Sequence, residues 1–172
     1  MQIAMSYKAI ILAAGIGNRL GAPWSEAPKA LLRVGGQTLL ARHLAILEDV
    51  GVDEIVIGVG YRADLIAAEL EAIGAGSNVR TVLNPRYREG SMITVWSLRE
   101  AFSSGGPVLL MDADVLYDAR IMRQLCQSRH PNCLLYDADI ADGEEPVKIC
   151  LRDDEIVDFG KTVTTVHDRH GE

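Results

Sequence analysis

The chain has 172 residues, of which 48% are hydrophobic and 24% charged, and its formal net charge is −7. This composition is that of a globular protein with a substantial core, and it excludes disordered and low-complexity classes. The acidic balance argues against a surface for nucleic acid or anionic membranes, which needs a basic patch. It does not argue against binding of a small nucleotide.

Cysteine usage and the start of the chain indicate the compartment. The three cysteines are an odd number without C-x-x-C spacing, so we interpret them as thiols of a reducing compartment. No apolar segment approaches the ~20 residues of a membrane span, and the first residues lack the apolar stretch of a signal peptide. We therefore expect a cytoplasmic protein without membrane insertion. The oligomeric state stays open, a homo-oligomer included.

The first half of the chain alternates strand and helix signals. Residues 8–14 form an apolar run that ends at glycine, which predicts a buried strand. Thr38 is expected to cap a helix that runs to residue 50, where Gly51 stops it. Residues 54–59 then predict a second strand and residues 62–73 a second helix.

The next elements continue the alternation. A third strand is predicted at 79–83, a helix capped by Ser91 follows it, and a fourth strand is predicted at 107–111. Asp118 is expected to cap a further helix through residue 127, and residues 133–136 predict a further strand. The tail at 147–151 and 155–159 reads as an antiparallel hairpin.

This order of elements predicts an α/β fold, a three-layer Rossmann-like arrangement. Its mostly parallel sheet carries helices on both faces and is followed by the C-terminal antiparallel hairpin. No repeat or linker interrupts the chain, so we interpret residues 1–172 as a single domain. Because ligands of such sheets bind beyond the carboxyl ends of the strands, the loops after the first, third and fourth strands should meet at one edge.

The loop after the first strand has the features of a phosphate-binding turn. Gly15 and Gly17 let the backbone approach a ligand closely, and Arg19 and Lys29 supply full charges for phosphate oxygens. A glycine pair alone is weak evidence, but the strand before it and the Pro28-Lys29 pair after it strengthen the hypothesis. A P-loop is excluded because no Gly-Lys-Ser/Thr follows the glycines.

Two carboxylates stand at the end of the fourth strand. Asp112 and Asp114 are two residues apart, so in an extended backbone they point the same way. Hard oxygen ligands at a strand end suit Mg²⁺, which keeps waters and shares its shell with substrate phosphates. The alternative is that one aspartate, Asp112 in particular, caps the following turn.

Three further groups of polar residues carry weaker signals. Asn84 offers a donor and an acceptor to a base edge, and Gly90 permits close approach. An ordinary loop that ends at a helix cap is the alternative. Lys148 and Lys161 lie on or beside the predicted hairpin, where charges are usually solvated. His43 lies on the first helix and is expected at the surface.

These motifs resemble a known family. The opening pattern is similar to the signature of MobA-like nucleotidyltransferases, which make sugar nucleotides and related activated head groups. It comprises Leu12-Ala13-Ala14-Gly15-x-Gly17-x-Arg19-Leu20 and Pro28-Lys29-x-Leu31. Asn84-Pro85, Gly90, Glu145-Pro146-Val147-Lys148 and Gly160-Lys161 resemble the branch that activates phosphocholine and similar small phospho-compounds with CTP. Two departures stand out: Ala113-Asp114 replaces the usual Gly-Asp, and relatives run on beyond this chain to a second metal-binding aspartate.

The resemblance implies roles for particular residues. The nucleotide is expected to bind at Leu12, Ala13, Ala14, Gly15, Gly17, Asn84, Gly90 and Ser91. Arg19 and Lys29 are expected to hold its phosphates and carry the catalytic charge. Mg²⁺ is expected on Asp114, with Asp112 beside it. The phospho-acceptor is expected at Glu145, Lys148 and Lys161.

The implied activity is transfer of a nucleotidyl group from an NTP, CTP being favoured, to a small phosphorylated acceptor with release of pyrophosphate. Phosphocholine, aminoethylphosphonate, and sugar or inositol phosphates all stay open as acceptors. One alternative is a catalytically incomplete nucleotide-binding or regulatory domain, because C-terminal elements of longer relatives are expected to be missing. A second alternative, an NAD-type oxidoreductase, fits poorly because the second strand ends in Gly58-Val59-Gly60 without an acidic residue.

Overall fold

A computed structural model of the chain describes residues 6–17, 26–138 and 147–171. The chain forms two compact units, Met1–Arg123 and Gln124–Glu172. The interpretation of residues 1–172 as a single domain stays a prediction. No helix in the described ranges has the length and apolar character needed to cross a bilayer. The three cysteines form no disulfide.

The first unit contains a parallel sheet and two short strands. Its strands are β1 (Tyr7–Ala13), β2 (Arg33–Val34), β3 (Gln37–Thr38), β4 (Val52–Val59), β5 (Val79–Leu83) and β6 (Val108–Asp112). The helices that begin in this unit are α1 (Leu39–Asp49), α2 (Ala63–Ala72), α3 (Ser91–Ser97), α4 (Arg99–Ser103) and α5 (Ala119–Gln127). The strand order is β5-β4-β1-β6, with every neighbouring pair parallel. This confirms the predicted sheet.

Helices cover both faces of this sheet. Ile10 of β1 and Val56 of β4 pack against Leu98 and Ala101 of the α3–α4 segment. The next residue along β1, Ile11, is also fully buried, and it points to the opposite face because strand side chains alternate. Right-handed crossovers from β1 to β4 and from β4 to β5 place α1 and α2 on that opposite face. The three-layer prediction is therefore confirmed.

Helix α1 begins where the sequence predicted. The Thr38 Oγ1 accepts a hydrogen bond from the Ala41 backbone N–H at 3.1 Å, which satisfies one of the unpaired donors of the first turn. Leu40 and Leu47 are fully buried, so the helix packs through one apolar face. Gly51 follows the helix with a φ of +78°, the left-handed conformation that commonly ends helices.

The segment after β5 differs from the prediction at its helix start. Gly90, not Ser91, occupies the N-cap position, with a φ of +117°, and no side chain caps the helix. Glycine adopts this conformation without a Cβ clash, so the chain turns at Gly90 and Ser91 becomes the first helical residue. The predicted single helix is also divided at Leu98 into α3 and α4.

This segment packs directly on the end of β4. A Cβ added at Gly58 would lie 2.7 Å from the Thr94 Cγ2, and one added at Gly60 would lie 2.5 Å from the Tyr87 Cβ. Atoms at those distances overlap, so glycine at both positions is what allows the close contact. Gly58 in β4 and Gly60 just after it therefore determine how closely Thr94 and Tyr87 approach the sheet.

The second unit contains an antiparallel sheet of β7 (Lys148–Arg152), β8 (Glu155–Gly160) and β9 (Arg169–Gly171), in the order β8-β7-β9. The predicted hairpin is confirmed, and its turn residues Asp153 and Asp154 have positive φ, as tight hairpin turns require. The third strand, β9, is not foreseen by the sequence because its residues are polar and it joins through backbone pairing with β7. The predicted strand at 133–136 is wrong: within the described ranges these residues pair with no strand.

Candidate functional site

A cavity of about 330 Å³ opens at the carboxyl edge of the parallel sheet. It lies beyond β1 and β6, where the direction of strand order reverses, which is the usual ligand position in open α/β sheets. Its walls come from the three loops that the sequence predicted to meet. The lining residues are Leu12, Ala13, Ala14, Gly15, Ile16, Gly17, Lys29, Ala30, Tyr87, Arg88, Gly90, Ser91, Thr94, Asp112, Ala113 and Asp114.

The loop after β1 presents backbone to the cavity. Ala13 and Ala14 are buried, whereas Gly15 is exposed and has no atom within 4 Å of the position a Cβ would take. The Ala14 carbonyl accepts a hydrogen bond from the Tyr61 N–H at 3.1 Å, which ties the loop to the end of β4. A ligand can therefore approach the Gly15 backbone without meeting a side chain.

Gly17 and Lys29 are in direct contact. Gly17 has a φ of +74°, and a Cβ there would lie 2.9 Å from the Lys29 Cγ and 3.0 Å from its Cε. The lysine side chain thus runs over the glycine along most of its length. This contact directs the ammonium group into the cavity. It also explains why glycine occupies position 17, since a larger residue there would collide with Lys29.

The Lys29 side chain ends beside Asp114, which lies two residues after the end of β6. Its Nζ donates a hydrogen bond to the Asp114 Oδ2 at 2.8 Å, and both side chains are partly exposed. The structure therefore brings together the cation and the carboxylate that the sequence assigned to phosphate and metal. An exposed pair of this kind contributes little to stability, which leaves its charges available to a ligand.

Asp112 and Asp114 line the same cavity, as expected for residues two apart at a strand end. Although part of Asp112 is open to solvent, burial of its carboxyl group raises its pKa above the usual value. The neighbouring Asp114 raises the pKa further, and Lys29 opposes the change. Two carboxylates that repel each other beside a cavity suit a hard divalent cation, so the donor set fits Mg²⁺. No cluster of three or more metal-binding side chains occurs in the described ranges.

Asn84 occupies a different position from that suggested by its predicted role. It is 1% exposed, its amide nitrogen donates to the Thr94 Oγ1 at 3.0 Å, and its amide oxygen accepts from the Arg86 N–H at 2.9 Å. Both polar groups are thus used within the chain. Thr94, Gly90 and Ser91 reach the cavity wall instead, so direct contact between Asn84 and a base stays a prediction.

The chain is similar in sequence and structure to known nucleotidyltransferases. Residues 9–156 match the family described as MobA-like NTP transferase domain. The chain belongs to the MobA-like NTP transferase family. One relative is the CMP-5'-(3-aminopropyl)phosphonate synthase of Streptomyces rubellomurinus, which is 33% identical over 122 residues. These residues are 71% of this chain and 19% of that protein.

Two further relatives support the assignment. The bifunctional IPC transferase and DIPP synthase of Rubrobacter xylanophilus is 32% identical over 158 residues, which are 90% of this chain and 35% of that protein. The solved structure of CTP:phosphocholine cytidylyltransferase from Streptococcus pneumoniae aligns with a TM-score of 0.65 at 25% identity, over 97% of this chain and 67% of that one. This MobA-like chain therefore spans about a third or less of the length of the two curated relatives.

Several predicted site residues of the MobA-like chain are not part of the described cavity. Arg19 and Glu145 lie outside the described residues. Lys148 begins β7 in the second unit, opposite Gly160 in the register with β8, and Lys161 follows that strand. The two lysines thus belong to neighbouring strand ends, and their role toward an acceptor stays a prediction.

Sequence reasoning did not assign Tyr87, Arg88 or Thr94 to the site, although all three line the cavity. The Arg88 guanidinium lies 5.5 Å from the centroid of the Tyr87 ring, a cation–π contact that orients it. The sequence did offer one signal for Tyr87 and Arg88, because they lie between Asn84 and Gly90, which were already predicted to bind the nucleotide. Thr94 lies beyond Gly90 within the following helix, so nothing in the sequence indicated that it would line the cavity and accept a hydrogen bond from Asn84.

His43 is buried, which corrects the expectation of a surface position. It is 2% exposed on α1, and its ring stacks on Tyr117 with centroids 5.2 Å apart. Burial lowers the pKa of His43 below its ordinary 6.5. The hydrogen bond to the Ala113 backbone and the charge of Asp114 act in the opposite direction, and Arg42 lowers the pKa further. The sequence did not reveal this because a histidine between apolar helix positions is compatible with either environment.

This burial predicts a pH dependence of stability. Between the lowered pKa of folded His43 and 6.5, the unfolded chain binds more protons than the folded one. The stabilisation from neutral His43 is therefore complete above 6.5 and is lost as the pH falls. Replacing His43 with glutamine should flatten the acid-side decline in the free energy of unfolding, measured by urea titration at a series of pH values. An unchanged slope in His43→Gln would contradict the assignment.

A second prediction concerns Gly17. Alanine there should destabilise the fold by about 1–2 kcal/mol because of its positive φ. It should also weaken CTP binding about tenfold because Lys29 is displaced from its position over Gly17. Urea unfolding and calorimetry measure the two effects. Gly35→Ala is the matched control, since Gly35 has a φ of +60° but no atom within 4 Å of its Cβ position. Equal loss of CTP affinity in both variants would rule out the contact with Lys29 as the cause.

Proposed function

We propose that this chain catalyses nucleotidyl transfer from CTP to a small phosphorylated or phosphonylated acceptor, with release of pyrophosphate and dependence on Mg²⁺. The observation that carries the proposal is the position of the Lys29 ammonium, held between the glycine loop and Asp114 inside the cavity. The preference for CTP is supported by the names of two relatives, a CMP-phosphonate synthase and a CTP:phosphocholine cytidylyltransferase.

The chemistry requires two anions to meet. An acceptor oxygen forms a bond to the α-phosphorus of CTP, the bond from that phosphorus to the bridging oxygen of the β-phosphate breaks, and pyrophosphate leaves with the electron pair. No side-chain nucleophile is needed, because the acceptor oxygen is already negatively charged near neutral pH. Catalysis is therefore positioning and neutralisation of charge.

Residues of the first unit have distinct parts in this reaction. The Gly15–Gly17 loop lets the triphosphate approach backbone, and Lys29 places a positive charge on it. Arg19 adds a second positive charge by the same family pattern, with Gly90, Ser91 and Thr94 forming the wall toward the nucleoside. Asp112 and Asp114 would hold Mg²⁺, which supplies further neutralisation of phosphate charge when bound. In the second unit, the same family pattern assigns Lys148, Lys161 and Glu145 to the acceptor.

The decisive experiment measures pyrophosphate release from CTP and Mg²⁺ with a panel of acceptors: phosphocholine, 2-aminoethylphosphonate, inositol 1-phosphate and sugar 1-phosphates. We expect release that depends on one acceptor and is slower with ATP, GTP or UTP. Reactions without acceptor, and with inorganic phosphate in its place, are the controls. Acceptor-independent release would contradict the proposal.

A nucleotide-binding domain without catalysis is the second candidate. It is favoured by one observation, that the described ranges hold a pair of carboxylates and no larger group of metal-binding side chains. Calorimetric binding of CTP without pyrophosphate release for every acceptor would establish it. The oxidoreductase alternative has no such support, since β4 ends at Gly58-Val59 and is followed by Gly60, without an acidic residue, and the family assignment differs.

The compartment follows from the proposed substrates. CTP and small phospho-compounds are cytoplasmic metabolites, and three cysteines that form no disulfide suit a reducing environment. We therefore place the enzyme in the cytoplasm. Light scattering of the purified chain would decide whether it is a monomer or a homo-oligomer.

A further inference from the structure

His43 makes a hydrogen bond to the backbone between the two cavity carboxylates. Its Nε2 lies 3.2 Å from the carbonyl oxygen of Ala113, a residue that is 2% exposed. A carbonyl only accepts hydrogen bonds, so Nε2 carries the proton and donates. The other ring nitrogen, Nδ1, is buried and has no hydrogen-bond partner within the described part of the chain. The contact with Ala113 is thus the polar anchor of this ring.

Ala113 is held on both sides of its Cα. Its own N–H donates to the Leu12 carbonyl at 3.1 Å, which continues the pairing of β6 with β1 beyond the strand end. Its carbonyl, which belongs to the peptide group leading into Asp114, accepts from His43. A peptide group is planar, so fixing the carbonyl fixes the direction in which the backbone enters Asp114.

We propose that His43 is a positioning residue for the reaction, acting through the Ala113 carbonyl on the Asp114 carboxylate. With the peptide plane fixed, Asp114 leaves the strand in the direction that meets the Lys29 ammonium at 2.8 Å. His43 holds the backbone side of Asp114, and Lys29 holds its carboxylate. The inference rests on the proposed nucleotidyl transfer, because it assigns a role in that reaction to a side chain outside the cavity wall.

Packing fixes the ring in the orientation that this role needs. The planes of His43 and Tyr117 are 23° apart, so the stacked tyrosine restricts rotation of the imidazole. The Tyr117 hydroxyl is itself buried without a hydrogen-bond partner in the described ranges. The aromatic ring, not the hydroxyl, is therefore the group that supports His43.

The test compares two replacements of His43. Leucine removes the donor, and we expect kcat for pyrophosphate release to fall about 10–100-fold, the range seen when a group that orients a metal-binding side chain is lost. The KM for CTP should stay within about threefold, because Gly17 and Lys29 are untouched. Glutamine offers an amide N–H at a similar reach, and it should restore kcat to within about fivefold of the unmodified chain. A fall in kcat that glutamine does not restore would overturn the proposal.

Leu47→Ala is the structural control, since Leu47 is fully buried on the same helix and has no contact with the cavity. It should lower the melting temperature while leaving kcat, measured well below that temperature, unchanged. A matching loss of kcat in Leu47→Ala would show that His43→Leu acts only through destabilisation. That result would also overturn the proposal.

A spectroscopic readout separates this inference from the proposed function. Nitrogen-15 NMR of the histidine rings should show His43 with a protonated Nε2 and an unprotonated Nδ1 at neutral pH, whether or not the chain turns over CTP. A neutral His43 ring protonated at Nδ1 instead of Nε2 would contradict the positioning role. Absence of turnover in the unmodified chain with the expected tautomer present would instead count against nucleotidyl transfer.

Discussion

Replacing Lys29 with alanine is expected to lower the rate of pyrophosphate release by about 10²-fold or more, the usual cost of removing a preorganised charge from the developing charge of a reaction. The physical reason is the position of the ammonium group, which is set by its contact with Gly17 and by its hydrogen bond to Asp114. The measurement is a coupled assay of pyrophosphate under saturating CTP and acceptor. Calorimetry of CTP binding measures separately how much Lys29 contributes to binding in the ground state, and we expect that loss to be smaller than the loss of rate.

Arg33→Ala provides the matched control for Lys29. Arg33 is an exposed cation four residues further along the chain, and it pairs with the Gly36 carbonyl and with Glu69 outside the cavity. The Arg33→Ala substitution removes the same net charge as Lys29→Ala, so it controls for any general electrostatic effect on an anionic substrate. If Lys29→Ala and Arg33→Ala turned over at the same rate, the specific catalytic role of Lys29 would be contradicted.

Asp114→Asn is expected to have an effect of similar size, about 10²-fold on turnover, because the isosteric amide keeps the shape of the side chain and loses the charge that a divalent cation needs. Asp112→Asn should cost less, about tenfold, since the hydrogen bond from Lys29 is to Asp114 and the pKa of Asp112 is raised by burial and by its neighbour. Titration of Mg²⁺ against pyrophosphate release measures both variants.

Asp118→Asn is the control for the two carboxylates. Asp118 precedes α5, accepts hydrogen bonds from Arg120, and does not line the cavity. Its replacement should leave the Mg²⁺ titration unchanged. If Asp112→Asn instead proved more damaging than Asp114→Asn, Asp112 and not Asp114 would be the principal metal ligand of the pair.

Much of the first unit was accessible from local sequence signals. Thr38 and Gly51 mark the ends of α1 because caps and stops act within a few residues. The meeting of the loops after β1, β5 and β6 at one cavity was also accessible, because parallel strands bring their carboxyl ends to one edge. The ion pair found there between Lys29 and Asp114, which are 85 residues apart, was not itself predicted.

The residues that escaped prediction are those whose environment is decided by packing between distant segments. The hydrogen bond from Asn84 to Thr94 and the burial of His43 against Ala113 were not foreseen, because neither contact has a periodic signature. Strand β9 joins its sheet through backbone hydrogen bonds, which polar residues make as well as apolar ones. The strand predicted at 133–136 was wrong because an apolar run does not by itself supply a neighbouring strand to pair with.

The absence of side chains at Gly58 and Gly60 has a consequence for how substrate preference can change. A single methyl group at either position would force Tyr87 or Thr94, and the wall they belong to, away from the sheet. The width of this part of the cavity is thus governed by two residues that do not line it. Under the proposed function, changes in base selectivity through this wall are therefore expected to come from residues between Tyr87 and Thr94, because Gly58 and Gly60 admit almost no substitution.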